Sequence, residues 1–219
     1  SWGGARRNGV SAVYYNPITP TTDFVGIARA NRITGKHIPD NTEMNLQGIL
    51  SRTIYQAPGQ KVEVGGSLYL WSFEKNLRFY TYGQGGYYSP QAFGSLTFPI
   101  TWTGNTKNWS WRIQASVGAS ESREDATDLY PLDPQLAAAA ALQNNSIRDT
   151  GGPGGGTSTG LRAQIEHQLM KKLVLGAFLE IDRSEGYNPD RMQVYLKYSF
   201  GDSFEFSVPP ESVTPYSRF

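Results

Sequence analysis

Cysteine is absent from the 219 residues, which removes disulfide frameworks and thiolate metal sites from consideration. The lack of thiols suits passage through an oxidising compartment. Histidine is nearly absent too, with only His37 and His167. Charge is sparse, at 18% of residues with a formal net charge of +1, and no basic cluster offsets that balance. Nothing in it asks for nucleic acid as a partner. Long apolar runs are also missing. Mean hydropathy is −0.45, and the nearest approach to an apolar segment of about 18 residues is the short run 172–181. Helical membrane spans are therefore excluded. Strand-built spans are not, because only every second residue of such a strand meets lipid.

What the chain does contain is aromatic residues, at 13%, and 24 glycines. Apolar and polar residues alternate over stretches longer than a typical soluble strand of about five or six residues. In 108–120, Trp109, Trp111, Ile113, Ala115, Val117 and Ala119 oppose Ser110, Arg112, Gln114, Ser116, Gly118 and Ser120. In 160–170, Leu161, Ala163, Ile165, His167 and Leu169 oppose Arg162, Gln164, Glu166 and Gln168. In 191–200, Met192, Val194, Leu196, Tyr198 and Phe200 oppose Arg191, Gln193, Lys197 and Ser199. Weaker copies occupy 4–15, 23–33, 41–55, 61–73, 91–104 and 172–182, for about nine strands.

The links between these strands alternate in length. Short links fall near 17–20, 57–60, 104–107 and 170–172; longer ones fall at 77–90 and 123–157, with lesser ones near 35–40 and 185–189. Outer-membrane barrels join their strands by short periplasmic turns and longer external loops. Counting back from a last strand that ends in the periplasm, every short link is periplasmic and the first strand begins outside the cell. A closed barrel with an even strand count then predicts an odd number of strands upstream. Within the long link, Asp133, Pro134 and the alanines that follow predict a short helix over 133–143. The glycine run 151–156 reads as a flexible low-complexity linker, and it lacks the Lys and Ser/Thr of a phosphate loop. The pattern predicts an all-β, antiparallel transmembrane barrel over 1–200, and a tail over 201–219 in which Pro209, Pro210 and Pro215 oppose a central strand.

Aromatic residues gather at strand ends, as amphipathic rings do at water–hydrocarbon boundaries: Trp102, Trp109, Trp111, Tyr198 and Phe200 at one end, Tyr69, Trp71 and Phe73 near the other. By parity, Glu43, Asn45, Gln47, Ser67, Ser95, Thr97, Arg112, Gln114, Ser116, Arg162, Gln164, Glu166, Gln168, Gln193 and Lys197 face a lumen. Amides, hydroxyls and both signs of charge suit a neutral, hydroxyl-rich cargo better than an ion of one sign. A water-filled porin wall remains an alternative.

The run Asn76-Leu77-Arg78-Phe79-Tyr80-Thr81-Tyr82-Gly83-Gln84-Gly85-Gly86-Tyr87-Tyr88-Ser89-Pro90-Gln91 is distinctive. So are Ser95-Leu96-Thr97-Phe98-Pro99-Ile100, Trp109-Ser110-Trp111, Ser116-Val117-Gly118, Tyr130-Pro131, the closing Tyr195-Leu196-Lys197-Tyr198-Ser199-Phe200 and the initial Trp2-Gly3-Gly4. Together they resemble the C-terminal barrel of the cellulose synthase operon protein C family over nearly the whole chain. The resemblance implies a 16-stranded outer-membrane pore that exports cellulose. It further implies periplasmic tetratricopeptide repeats upstream, absent here, that connect to the inner-membrane cellulose synthase complex.

Two groups of residues follow as candidates for the substrate path. Tyr69, Trp71, Phe93 and Tyr195 share the lumen parity and offer an aromatic track, or else girdle and packing positions. Arg112, Arg162, Glu166 and Lys197 either pair across the sheet or touch sugar; Gln114, Gln164 and Gln193 lie among them. Loop 77–91, with Arg78, Tyr80, Tyr82, Gln84, Tyr87 and Tyr88, either gates the external mouth or is simply packed. The helix near 133 either caps the pore or stands exposed. Catalytic chemistry has little footing. His37 and His167 are assigned to separate strands, with His167 on the lipid parity, and Glu180 and Asp182 read as a solvated strand edge, not as a paired-carboxylate site. No cofactor or metal site is expected. The rival readings are a general porin, a barrel enzyme, and a carbohydrate-binding β-sandwich.

Overall fold

Alternation at period two satisfies one face of a strand at a time, so each strand needs neighbours on both edges to pair its backbone groups. One nine-stranded antiparallel sheet meets that need for every long strand except at the outer edges of the first and the last, among the described residues. The computed structural model describes residues 3–143, 145–184, 188–204, 206 and 210. Its long strands are β1 (Gly3–Thr19), β2 (Thr22–Lys36), β3 (Ile38–Ala57), β4 (Gln60–Phe73), β5 (Ala92–Asn105), β6 (Trp109–Glu124), β9 (Gly152–Met170), β10 (Leu173–Arg183) and β11 (Asp190–Tyr198). Between β6 and β9 lie the short ladder β7 (Thr127–Asp128) with β8 (Arg148–Asp149) and the helix α1 (Pro134–Leu142). Each long strand pairs with the next one along the chain, and no ladder joins β1 to β11 among the described residues. Among the described residues no helix is long and apolar enough to cross a membrane.

Burial is inverted relative to a soluble sheet. On one face Val10 is 75% exposed and Val194 65%, while on the other Glu43 is 3% exposed and Glu166 4%. Register carries the polar face across the strands in continuous rows, one of which runs Thr103–Arg112–Gln164–Phe178–Gln193. The apolar rows lie between them, as in Trp102–Ile113–Ala163–Leu179. At the end with the tight turns, Trp102 and Trp111 meet edge-on at 5.3 Å and Trp109 stacks on His167 at 4.2 Å. The helix forms as expected, with the Asp133 carboxylate accepting from the Leu136 N–H at 2.9 Å.

Three expectations need correction. The glycine run is not a linker, since residues 152–156 open β9 and pair with Ser120 to Glu124 of β6. Backbone pairing requires no side chain, and a Cβ on Gly155 (φ +115°) would lie 2.2 Å from the Ser120 carbonyl oxygen. His37 does not sit in a strand; it forms the turn between β2 and β3 alone, in the left-handed region at φ 56°. Glu180 is buried, not solvated, because Arg162 holds it at 2.8 Å and Arg191 at 3.4 Å. Of the tail, the Phe204 N–H donates to the Lys171 carbonyl at 2.9 Å, and Asn105 Nδ2 donates to the Phe206 carbonyl. Trp2, the link residues 185–187, and the tail residues 205, 207–209 and 211–219, Pro209 and Pro215 among them, lie outside the described residues.

Candidate functional site

Positions two apart on a strand project to the same face, so Tyr69, Trp71 and Phe73 of β4 line up along the polar face. Pairing with β5 sets Phe93 directly opposite Trp71. Trp71 becomes the hub of an aromatic cluster, with ring centroids 5.0 Å from Phe73, 6.0 Å from Tyr88, 6.2 Å from Tyr69 and 6.3 Å from Phe93. Most of these contacts are edge-to-face, the arrangement preferred by the ring quadrupoles. The Trp71 indole N–H donates to Glu43 Oε1 at 2.8 Å. Glu43 Oε2 accepts from Asn31 at 2.9 Å and from Arg7 at 3.0 Å. Beside Trp71 in the same row is Asn45, whose buried Oδ1 has no hydrogen-bond partner among the described residues. A groove of about 960 Å3 crosses β1 to β6 at this level, with Arg29, Asn45, Trp71 and Phe93 among its lining residues.

Residues 74–91, which connect β4 to β5, close over this end of the cluster as a packed plate. The Leu77 N–H donates to Ser89 Oγ at 2.7 Å, and Gly85 and Gly86 both donate to the Leu77 carbonyl at 3.0 Å. Gln84 is fully buried and donates to the Asp128 carbonyl at 2.6 Å; Asn76 donates to the Asp125 carbonyl at 2.9 Å. These bonds fasten the plate to the loop that follows β6. Arg78 adds an ion pair to Glu124 at 2.6 Å and lies 5.9 Å from the centre of the Tyr88 ring. The hydrogen bond that Arg78 donates to Glu124 raises the Arg78 pKa above its ordinary value. Tyr87 packs against Phe73 at 5.8 Å and accepts from Asn41 Nδ2 at 3.1 Å. Burial pushes its hydroxyl above the ordinary tyrosine value, although the Asn41 bond acts the other way. Tyr82 lies 5.9 Å from His37, and Tyr80 is 84% exposed.

The second group of candidates lies near the tight turns. Glu166 accepts from Lys197 at 2.5 Å and from the Tyr195 hydroxyl at 2.7 Å, and Gln164 donates to that hydroxyl at 2.8 Å. Tyr195 reaches β9 by passing over Gly176 of β10, where a Cβ would lie 2.2 Å from its ring. Tyr195 is thus committed to this network and does not join Trp71. The Tyr195 row meets β6 at Ser110 and the Trp71 row meets it at Ser122. Those twelve positions span about 40 Å.

Cross-sheet pairing accounts for Lys197 with Glu166 and for Arg162 with Glu180 and Asp182. Arg112 and Gln193 are exposed and Gln114 is half-buried. Glu63 pairs with Lys61 at 2.9 Å. The carboxylates of the polar face are thereby neutralised largely within the sheet. The parity of Glu43 was legible, but its convergence with Arg7 and Asn31 was not. Those residues come from three strands, and only the register aligns them.

The model of the cellulose synthase operon protein C C-terminus family matches residues 1–201. The chain is 30% identical over 221 residues to cellulose synthase operon protein C of Salmonella typhimurium, covering 99% of this chain and 18% of that protein. It is 30% identical over 223 residues to the Escherichia coli protein of that name, covering 99% and 19%. The Pseudomonas fluorescens protein of that name is 32% identical over 218 residues, covering 98% and 16%. The chain spans less than a fifth of the length of these curated relatives.

Proposed function

The chain belongs to the cellulose synthase operon protein C C-terminal family, and from that premise we propose that it forms part of an outer-membrane barrel through which cellulose leaves the cell. The observation that carries the reading is the inverted sheet, with apolar side chains exposed on one face and buried, mutually paired polar side chains on the other. In water that arrangement leaves a large apolar area uncovered; in a bilayer the same face is solvated by acyl chains. The polar face then lines an aqueous path. Because its carboxylates are largely spent on arginines and lysines of the same sheet, the face offers a passing molecule ring faces, hydroxyls and amides. That chemistry matches a neutral β-1,4-glucan. The barrel acts as a passive conduit and polymer elongation at the inner-membrane synthase drives movement. Upstream periplasmic repeats of the full-length protein connect the two.

A test uses the full-length protein in glucan-secreting cells, with a single cysteine at Ser120 on the polar face or at Leu96 on the apolar face. Attaching a bulky thiol reagent at residue 120 traps polymer in the periplasm while insertion is unchanged; the same reagent at residue 96 leaves secretion intact. Equal secretion from both labelled proteins would rule out the polar face as the path. A steady ion current through the unlabelled protein, with secretion indifferent to either label, would favour a general porin.

A further inference from the structure

The indole of Trp71 is the centre of the aromatic cluster, and its orientation is imposed from outside the cluster. Its N–H is consumed by Glu43, whose carboxylate is 3% exposed and takes up donors on both oxygens. A bidentate set of charged and neutral donors fixes a carboxylate more tightly than a single bond does. The chain of contacts continues to the first strand. Asn31 lies over Gly9, where an added Cβ would stand 2.0 Å from Asn31 Oδ1. The absence of a side chain at Gly9 is therefore what lets the Asn31 amide reach Glu43. Three strands, β1, β2 and β3, are thus engaged in holding one ring on β4.

With its N–H spent, Trp71 presents only its ring face and edge to a ligand. We infer that Glu43 is a positioning residue: it sets the Trp71 plane so that this ring stacks against the face of a glucose unit, with Phe93 standing edge-on beside it. The inference rests on the cellulose-path reading and assigns its stacking subsite. Glu43 does not touch the sugar. Its effect on binding passes through the indole, so it vanishes when the indole is gone.

The experiment measures cellohexaose binding to the full-length protein in detergent micelles by calorimetry, for the unaltered protein, Glu43→Ala, Trp71→Ala and the double variant. Trp71→Ala weakens binding by roughly ten-fold, the scale of one lost aromatic contact. Glu43→Ala weakens it by roughly three- to ten-fold alone and adds nothing in the Trp71→Ala background, the non-additivity expected of residues acting as a unit. Thermal unfolding, followed in parallel, separates this from general loosening. A purely structural role lowers the melting temperature of both Glu43→Ala proteins and shows no coupling in affinity.

Equal loss in both backgrounds, or no loss from Glu43→Ala while Trp71→Ala still weakens binding, overturns the positioning role and leaves the glucan path standing. Unchanged affinity in Trp71→Ala itself removes the stacking subsite. If Glu43→Ala does not assemble, Asn31→Ala serves the same cycle, because it removes one of the two donors to Oε2 and leaves Arg7 paired.

Discussion

At the scale of single residues, the polar face is held by contacts that cross more than one strand. Tyr195 spans from β11 over Gly176 to Glu166, so a methyl group at position 176 displaces the ring. We predict that Gly176→Ala lowers stability by about 1–3 kcal/mol, the usual cost of overpacking. Urea unfolding of the barrel in vesicles measures it, and a neutral outcome would show that Tyr195 has another rotamer open to it. Glu166→Ala leaves Lys197 and Tyr195 without their shared acceptor. Since Lys197 is about a third exposed, water recovers part of the loss, and we predict a cost of about 1–2 kcal/mol. Lys197→Ala in the same background should restore part of it, because the uncompensated cation is then removed.

At the scale of elements, two connections have structural roles that their compositions conceal. The glycine run is a strand, and its small residues bring β9 against β6 where side chains would not fit. Gly155→Val meets both a forbidden φ and the Ser120 carbonyl. It should unpair the outer half of β9, seen as faster amide exchange at residues 120–124 with the tight-turn half of β6 unchanged. The plate of residues 74–91 is fastened to the loop after β6 by Arg78–Glu124, Gln84–Asp128 and Asn76–Asp125. Arg78→Ala should make the plate more accessible to protease by several-fold while the strands keep their protection. Protease resistance equal to that of the unaltered protein would mean that the buried amide contacts suffice on their own.

At the scale of the whole molecule, the relevant quantity is the solvent on each face. Val194 and Gln193 are adjacent on β11, both exposed, and on opposite faces. In a bilayer, Val194→Arg costs about 2–4 kcal/mol near the midplane and less towards an interface, whereas Gln193→Arg costs little. Folding yield of the full-length protein into lipid vesicles checks this directly, and equal yields for the two variants would refute the bilayer assignment of the apolar face.

The order of all nine long strands, the approximate span of all but β9, the two opposed faces, the cap and course of the short helix, and the aromatic ends were present in the sequence. Each depends on local propensity and period-two patterning, which act between near neighbours in the chain. The glycine strand was not legible, because glycine carries no side chain with which to show a period, and its pairing depends on what lies opposite. Nor were the convergence of Arg7, Asn31 and Trp71 on Glu43, the separation of Tyr195 from Trp71 by some 40 Å, or the burial of Glu180. Parity places a residue on a face, but only the register between strands places it beside a particular neighbour. That register is set jointly by the turns, the bulges and the fit of side chains across the sheet.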